Sequence, residues 1–288
     1  MPTALGPRVD VHLHLSQYWP DLPRYSYGPG VDFTVPGLLR ELDGERIGFG
    51  VLLQLETAPS VSETLREGQE LFLRSGGRLL RTTTVDPSLG EEEVSRAIAL
   101  WENASDLVAV KLYPGYKHFY PDDRRLDPVY EFAHRRGIPV MIHQGDTLYP
   151  DALVKFARPI HVDEPAVRFR DVSFVMCHLG NPWIEETAEV VYKNPNVYTD
   201  TSGLLGPMSL PYFDRMVERS RGRLADALEF IGSPDRILYG SDWPLLRIDV
   251  AVGLVEGLQI PIEDREKILG GNARRLFRLD GVPSTGSA

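Results

Sequence analysis

The chain has 288 residues and carries 31 Lys and Arg against 41 Asp and Glu, a net charge of −10, with 42% hydrophobic residues and one cysteine. That length matches one large domain, near the roughly 250 residues of a β/α barrel, with enough apolar sequence for a substantial core. The acidic balance excludes nucleic acid as the main partner, because neutralising phosphates needs clustered Lys and Arg, and the lone Cys177 excludes an internal disulfide. With no apolar leader and no run of about 18 apolar residues, a cytoplasmic protein without a membrane span is expected.

Arg8 to Leu15 reads as the first strand. Its apolar and polar residues alternate, placing Asp10, His12 and His14 on one face and Val9, Val11, Leu13 and Leu15 on the other. A His-x-His pair in isolation is equally well a solvent-facing strand or a pair of metal ligands. Residues 16–35 follow as an insertion without helical or strand period, rich in Tyr, Trp, Pro and Gly. Tyr18, Trp19, Tyr25, Tyr27 and Phe33 make it too aromatic for disorder, so it is expected to form a lid or a pocket wall, or to pack on the rim.

A regular alternation then runs to the end of the chain. Residues 35–42 read as a short helix, 48–55 as the second strand, 60–75 as a helix and 78–85 as the third strand. A helix opens at Glu91-Glu92-Glu93, where carboxylates suit the positive end of the helix dipole. Residues 107–113 form the fourth strand, a helix runs from Asp127 to Gly137, and 138–143 form the fifth strand. Irregular helical sequence fills 151–170. Residues 173–178, 196–201 and 236–242 read as strands six to eight, separated by helices over 183–192 and 208–231, and two further helices start near Asp249 and Glu263.

Eight strand-like runs alternating with helices predict a single-domain α/β protein, a (β/α)8 TIM barrel over residues 1–280 with the aromatic-rich insertion after strand one. Residues 281–288 are expected to form a flexible tail. No Gly-rich dinucleotide fingerprint follows the first strand, where His12-Leu13-His14 stands instead.

In such a barrel the active site lies at the C-terminal ends of the strands. Those ends carry His12 and His14 on strand one, Lys111 on four, His143 on five, His178 on six and Asp242 on eight. Imidazole and carboxylate are the ligands a catalytic divalent ion prefers, so His12, His14, His143 and Asp242 form the expected metal site. Asp242 is then placed as general base on an activated water, with His178 as electrophile or second base. Alternatively, Asp242 caps the turn that follows it. Lys111 is a buried cation paired to an acid, a substrate-carboxylate anchor or a carbamate-bearing lysine. Cys177 is expected to pack as a small apolar residue, Trp183 and Trp243 to line the pocket or pack on the rim, and Asp10, deeper in its strand, not to bind metal.

The ordered set His12-x-His14, Val110-Lys111-Leu112-Tyr113-Pro114, His143, Cys177-His178-Leu179-Gly180, Tyr239-Gly240-Ser241-Asp242-Trp243-Pro244 and Gly271-Asn272-Ala273-Arg274-Arg275-Leu276-Phe277 resembles the amidohydrolase superfamily. More narrowly it is similar to the amidohydrolase-related branch that includes aminocarboxymuconate-semialdehyde decarboxylase, resorcylate-type decarboxylases and several lactone hydrolases. The resemblance implies one divalent ion, zinc first and manganese second, held by His12, His14, His143 and Asp242 with His178 close to the substrate. It implies a small-molecule substrate, and a homodimer as the assembly to look for. Decarboxylases of the branch commonly show His-Pro at strand five, where this chain has His143-Gln144-Gly145-Asp146. The leading expectation is therefore a metal-dependent hydrolase of a small anionic ester, lactone or amide. A nonoxidative decarboxylase of an aromatic or dienoic acid stands second, and a non-catalytic metal-binding barrel third.

Overall fold

The computed structural model describes residues 6–26, 28–55 and 57–279. Eight parallel strands form one sheet in sequence order, β1 (Arg8–Leu13), β2 (Ile47–Leu52), β3 (Leu79–Thr84), β4 (Ala109–Leu112), β5 (Val140–Ile142), β6 (Phe174–Met176), β7 (Val197–Asp200) and β8 (Ile237–Leu238). The ring is closed where the chain beyond β8 returns to β1. Val11 N donates to the Tyr239 carbonyl at 3.0 Å, Asp242 N to the His12 carbonyl at 2.9 Å and His14 N to the Trp243 carbonyl at 2.7 Å. This is the expected (β/α)8 barrel.

Helices α1 (Val35–Gly44), α2 (Val61–Arg74), α3 (Glu91–Trp101), α4 (Asp127–Arg136), α5 (Asp163–Arg168), α6 (Ile184–Lys193), α7 (Phe213–Ile231), α8 (Ile248–Glu256), α9 (Ile262–Glu266) and α10 (Asn272–Leu276) are joined by short 3-10 turns and one π turn. Local chemistry sets several of their ends. The Thr34 and Ser60 hydroxyls accept from Gly37 N and Glu63 N and so satisfy otherwise orphaned amides of α1 and α2, while α4 and α7 stop at Gly137 and Gly232 in the left-handed conformation. Among the described residues no helix is long and apolar enough to cross a membrane.

Strand alternation divides the apolar residues between two cores. Val110 and Leu112 of β4, Val140 and Ile142 of β5, and Phe174 and Met176 of β6 pack outward against the helices. Ala109, Met141 and Val175 belong to a second cluster built almost entirely from strands and the C-terminal segment, the barrel interior. The same alternation turns Lys111, His143 and Cys177 inward at the ends of their strands. Strand β1 is less regular than its sequence suggests. Its register against β2 shifts between Asp10 and Leu13, and while Val9 and Val11 join the inner cluster, Leu13 and Leu15 join the outer one.

Strands β5 to β8 are shorter than their apolar runs, because the residues after each strand leave the ladder to form the mouth of the barrel. The eighth run, expected to reach residue 242, pairs as a strand only over Ile237–Leu238. The long helical region expected from residue 208 begins at Phe213. Tyr27 and the tail over 281–288 lie outside the described residues.

Candidate metal centre and active site

His12, His14 and Asp242 converge at the mouth, with one ligand atom from each lying within 4.8 Å of the others. His12 Nε2 stands 3.5 Å and His14 Nε2 3.3 Å from Asp242 Oδ1. Both imidazoles are oriented from behind: His12 Nδ1 donates to Asp200 Oδ2 at 2.9 Å and His14 Nδ1 to the Leu53 carbonyl at 3.1 Å. This directs each Nε2 at the shared point. His12 Nε2 is buried and has no hydrogen-bond partner among the described residues, a deficit that a cation at that point would remove. The donor set fits a divalent ion. Asp242 reaches the point through a left-handed backbone at φ 65°, unusual for a residue with a side chain.

The electrostatics agree. Burial alone would raise the pKa of Asp242, but His12, the hydrogen bond from His14 and the nearby His178 outweigh it and hold the carboxyl ionised, below the ordinary range. Asp200 is depressed in the same way by His12, with help from His178 and Ser202. Burial pushes His12 and His143 down, and His178 down to about 3, so all three are neutral imidazoles near pH 7.

Strand alternation would place His178, the residue after the inward Cys177, on the outer face. A left-handed run, His178 at φ 63°, Leu179 at 47° and Gly180 at 62°, turns it back to the mouth. There His178 Nδ1 faces the Ser202 hydroxyl at 2.8 Å and Asp242 Oδ2 at 3.9 Å, and its backbone N–H donates to Asp200 Oδ1 at 2.9 Å. Ser202 also donates to Asp200 and lies 3.1 Å from His12 Nδ1. Gly203, at φ 63°, seals the back of the ring: a Cβ there would stand 2.7 Å from His178 Nδ1.

His143 is not in the three-donor group. Its Nδ1 faces His178 Nε2 at 3.1 Å and its Nε2 donates to the Asp146 carbonyl at 2.9 Å. The structure thus brings together three of the four expected ligands and pairs the fourth with the expected catalytic histidine. Lys111 projects into the same floor, donating to Cys177 Sγ at 2.9 Å. His12, Cys177 and Asp200 form a second tight group, but hydrogen bonds account for it, and burial keeps the thiol neutral with its pKa at about 12. Asp10 is occupied elsewhere, its Oδ1 accepting from His12 N at 3.0 Å and Ser241 N at 3.1 Å.

Above this floor is a cavity of about 220 Å³ walled by Trp19, Leu22, Leu55, Tyr113, Tyr116 and Leu245, with Tyr149 at its edge. Trp19 of the insertion stands 5.3 Å from Tyr149, which stands 5.7 Å from Tyr116, ring centre to ring centre, and Tyr116 lies 4.8 Å from His143. The insertion therefore forms a wall of the cavity. Trp243 instead stacks on Phe33 and donates to Glu41 at 2.9 Å, and Trp183 lies under the Arg158 guanidinium; both pack on the rim.

Sequence reasoning missed Asp200 and Ser202, although Asp200 ends β7 and falls under the same strand-end rule that found the others. It also missed Tyr116 and Tyr149, which lie in loops without period.

The amidohydrolase family model matches residues 9–279, nearly the whole chain. The chain belongs to the amidohydrolase family. Among the relatives of this amidohydrolase, a gamma-resorcylate decarboxylase of Polaromonas sp. (strain JS666 / ATCC BAA-500) is 36% identical over 107 residues, covering 35% of this chain and 28% of that protein. The chain thus spans little more than a quarter of the length of that curated relative. An uncharacterised TIM-barrel protein of Bordetella bronchiseptica superposes with a TM-score of 0.72 at 22% identity over 94% of this chain and 98% of that one. A dihydroxybenzoic acid decarboxylase of Polaromonas sp. JS666, with bound manganese and the inhibitor 2-nitroresorcinol, superposes with a TM-score of 0.67 at 18% identity over 98% and 100%. These two likenesses carry the fold.

The sequence relatives correct the leading expectation. They are decarboxylases, which overturns the hydrolase reading and favours its alternative. The error has a physical source: two histidines and an aspartate around an ion serve attack by water and loss of carbon dioxide alike, so the ligand set cannot choose between them.

Proposed function

We propose that the protein is a metal-dependent nonoxidative decarboxylase of a small hydroxylated aromatic acid. The observation that carries this reading is the His12, His14 and Asp242 donor group set in the floor of an aromatic-walled cavity. The decarboxylase relatives support the reaction class, and the manganese of the Polaromonas neighbour supports manganese beside zinc as the ion. His12, His14 and Asp242 would hold it, with His143 the fourth donor that the sequence points to. A divalent ion there supplies positive charge that draws anionic substrate oxygens and withdraws electrons from the ring.

The chain's own groups do the rest. Trp19, Tyr113, Tyr116 and Tyr149 hold a planar ring and keep water from it. The reaction exchanges one carbon–carbon bond for a carbon–hydrogen bond: the carboxylate leaves as carbon dioxide, and a proton replaces it on the same ring carbon. His178 relays that proton, taken up from solvent, with Asp242 Oδ2 as counter-charge while the imidazole is transiently protonated, so that carboxylate and one proton become carbon dioxide and the ring carbon–hydrogen bond. Because His178 is neutral at rest, a proton on it is held weakly and given up readily.

The test is carbon dioxide release from a panel of mono- and dihydroxybenzoic acids by protein loaded with manganese or zinc. Release that stops on chelation and returns with either ion supports the reading. A metal-loaded protein that decarboxylates none of the panel overturns it.

A further inference from the structure

Lys111 is fully buried, yet it lines the substrate cavity. Its ammonium donates to Cys177 Sγ at 2.9 Å and lies 5.0 Å above the Tyr113 ring. The thiol is neutral and the ring offers only its π face. Among the described residues no carboxylate stands within ion-pair distance of Nζ. The acids of the floor are engaged elsewhere, Asp242 with His12 and His14, and Asp200 with His12 and Ser202. The second lysine of the cavity, Lys117, differs: it is partly exposed and lies 3.7 Å from Asp86.

A buried cation without a counter-charge is costly, and proteins retain such groups where a ligand supplies the missing charge. We propose that Lys111 is the anchor for an anionic oxygen of the aromatic substrate, so that the site selects acids able to place one anionic oxygen at Nζ while the ring lies between Trp19 and Tyr116. This deepens the decarboxylase reading and rests on it for the identity of the substrate. Two oxygens share the required chemistry, the carboxylate and a phenolate ortho to it. Electron flow during loss of carbon dioxide runs from the first towards the second, so an ammonium on the phenolate would favour the transition state, whereas one on the carboxylate would favour the bound acid.

The experiment compares the metal-loaded wild-type protein with Lys111→Met and Lys111→Gln, two neutral replacements of different polarity. Dissociation constants are measured for 2-hydroxybenzoate, for ionised 2-nitrophenol, which lacks a carboxylate, and for neutral phenol. The expected result is a loss of about tenfold or more for 2-hydroxybenzoate, with phenol changed by less than about twofold. A parallel loss for the nitrophenolate assigns the phenolate as the anchored oxygen, and no loss assigns the carboxylate. Equal loss for all three ligands, or none, overturns the proposal. So does a carbamate on Nζ that persists with ligand bound, seen by isotope-edited NMR.

The two readings fail separately. Lys111-dependent binding without carbon dioxide release leaves the anchor standing and removes the decarboxylase. Unchanged KM and kcat in both variants, with release intact, does the reverse.

Discussion

His14 faces one carboxylate oxygen of Asp242 and His178 the other, and the two are expected to do different work. Replacing His14 with Ala removes one of three converging donors, and metal content after dialysis should fall by about tenfold or more while far-UV circular dichroism is retained. His12→Ala should act in the same direction, with a larger loss of stability because Asp200 then keeps a buried charge whose partner is gone. His178→Ala should leave metal content unchanged and lower kcat for carbon dioxide release by about 10²-fold or more. Metal lost from His178→Ala but retained in His14→Ala would reverse these assignments. Asp10 gives a prediction for pH. Burial raises its pKa from 3.8 to about 7 despite hydrogen bonds from His12 and Ser241 that pull the other way. A raised folded pKa means that the stability this group contributes is complete below about pH 4 and is lost as pH rises through about 7. Thermal unfolding of the metal-free protein should therefore show a falling Tm across that window, and Asp10→Asn should flatten the slope. An unchanged slope would show that Asp10 is not the titrating group.

At the scale of single elements, the site depends on the loops that leave the strands. Four of its members, Lys111, His143, Asp200 and His12, follow from the rule that polar residues at the ends of barrel strands face the mouth, which is why a sequence reading reaches most of them. His178 and Asp242 also fall at strand ends, but His178 breaks strand alternation and reaches the mouth only through left-handed backbone, a property no hydrophobic pattern records. The aromatic wall is less legible still. Trp19 is expected from the composition of the insertion, whereas Tyr116 and Tyr149 sit in different loops and meet only after folding. Gly203 links backbone to site. Gly203→Ala strains a left-handed position and drives a methyl group into the His178 ring, so Tm should fall by a few degrees and kcat more steeply than KM rises. A variant with wild-type kcat would show that His178 tolerates displacement and is not the proton donor.

Across the whole molecule, the order of strands and the alternation of helices were legible because each run is apolar enough to be buried on both faces. The reaction was not legible, because it depends on what the cavity holds rather than on what the barrel is made of. The apolar clusters that hold the barrel together do not include the donor group, so chelation should stop carbon dioxide release with little change in circular dichroism. Cooperative loss of secondary structure on chelation would instead make the metal structural. The cavity also joins two kinds of construction. Its floor, with His12, Lys111, His143 and Asp242, comes from the strands and their immediate ends. Its wall comes partly from residues 16–26, which meet the wall across the mouth through ring contacts such as Trp19 with Tyr149. An inheritable change in that segment can therefore alter which acids fit while sparing the groups that react with them. In this barrel, substrate range and chemistry can evolve along separate paths, and exchanging residues 16–26 between relatives is a direct route to new selectivity.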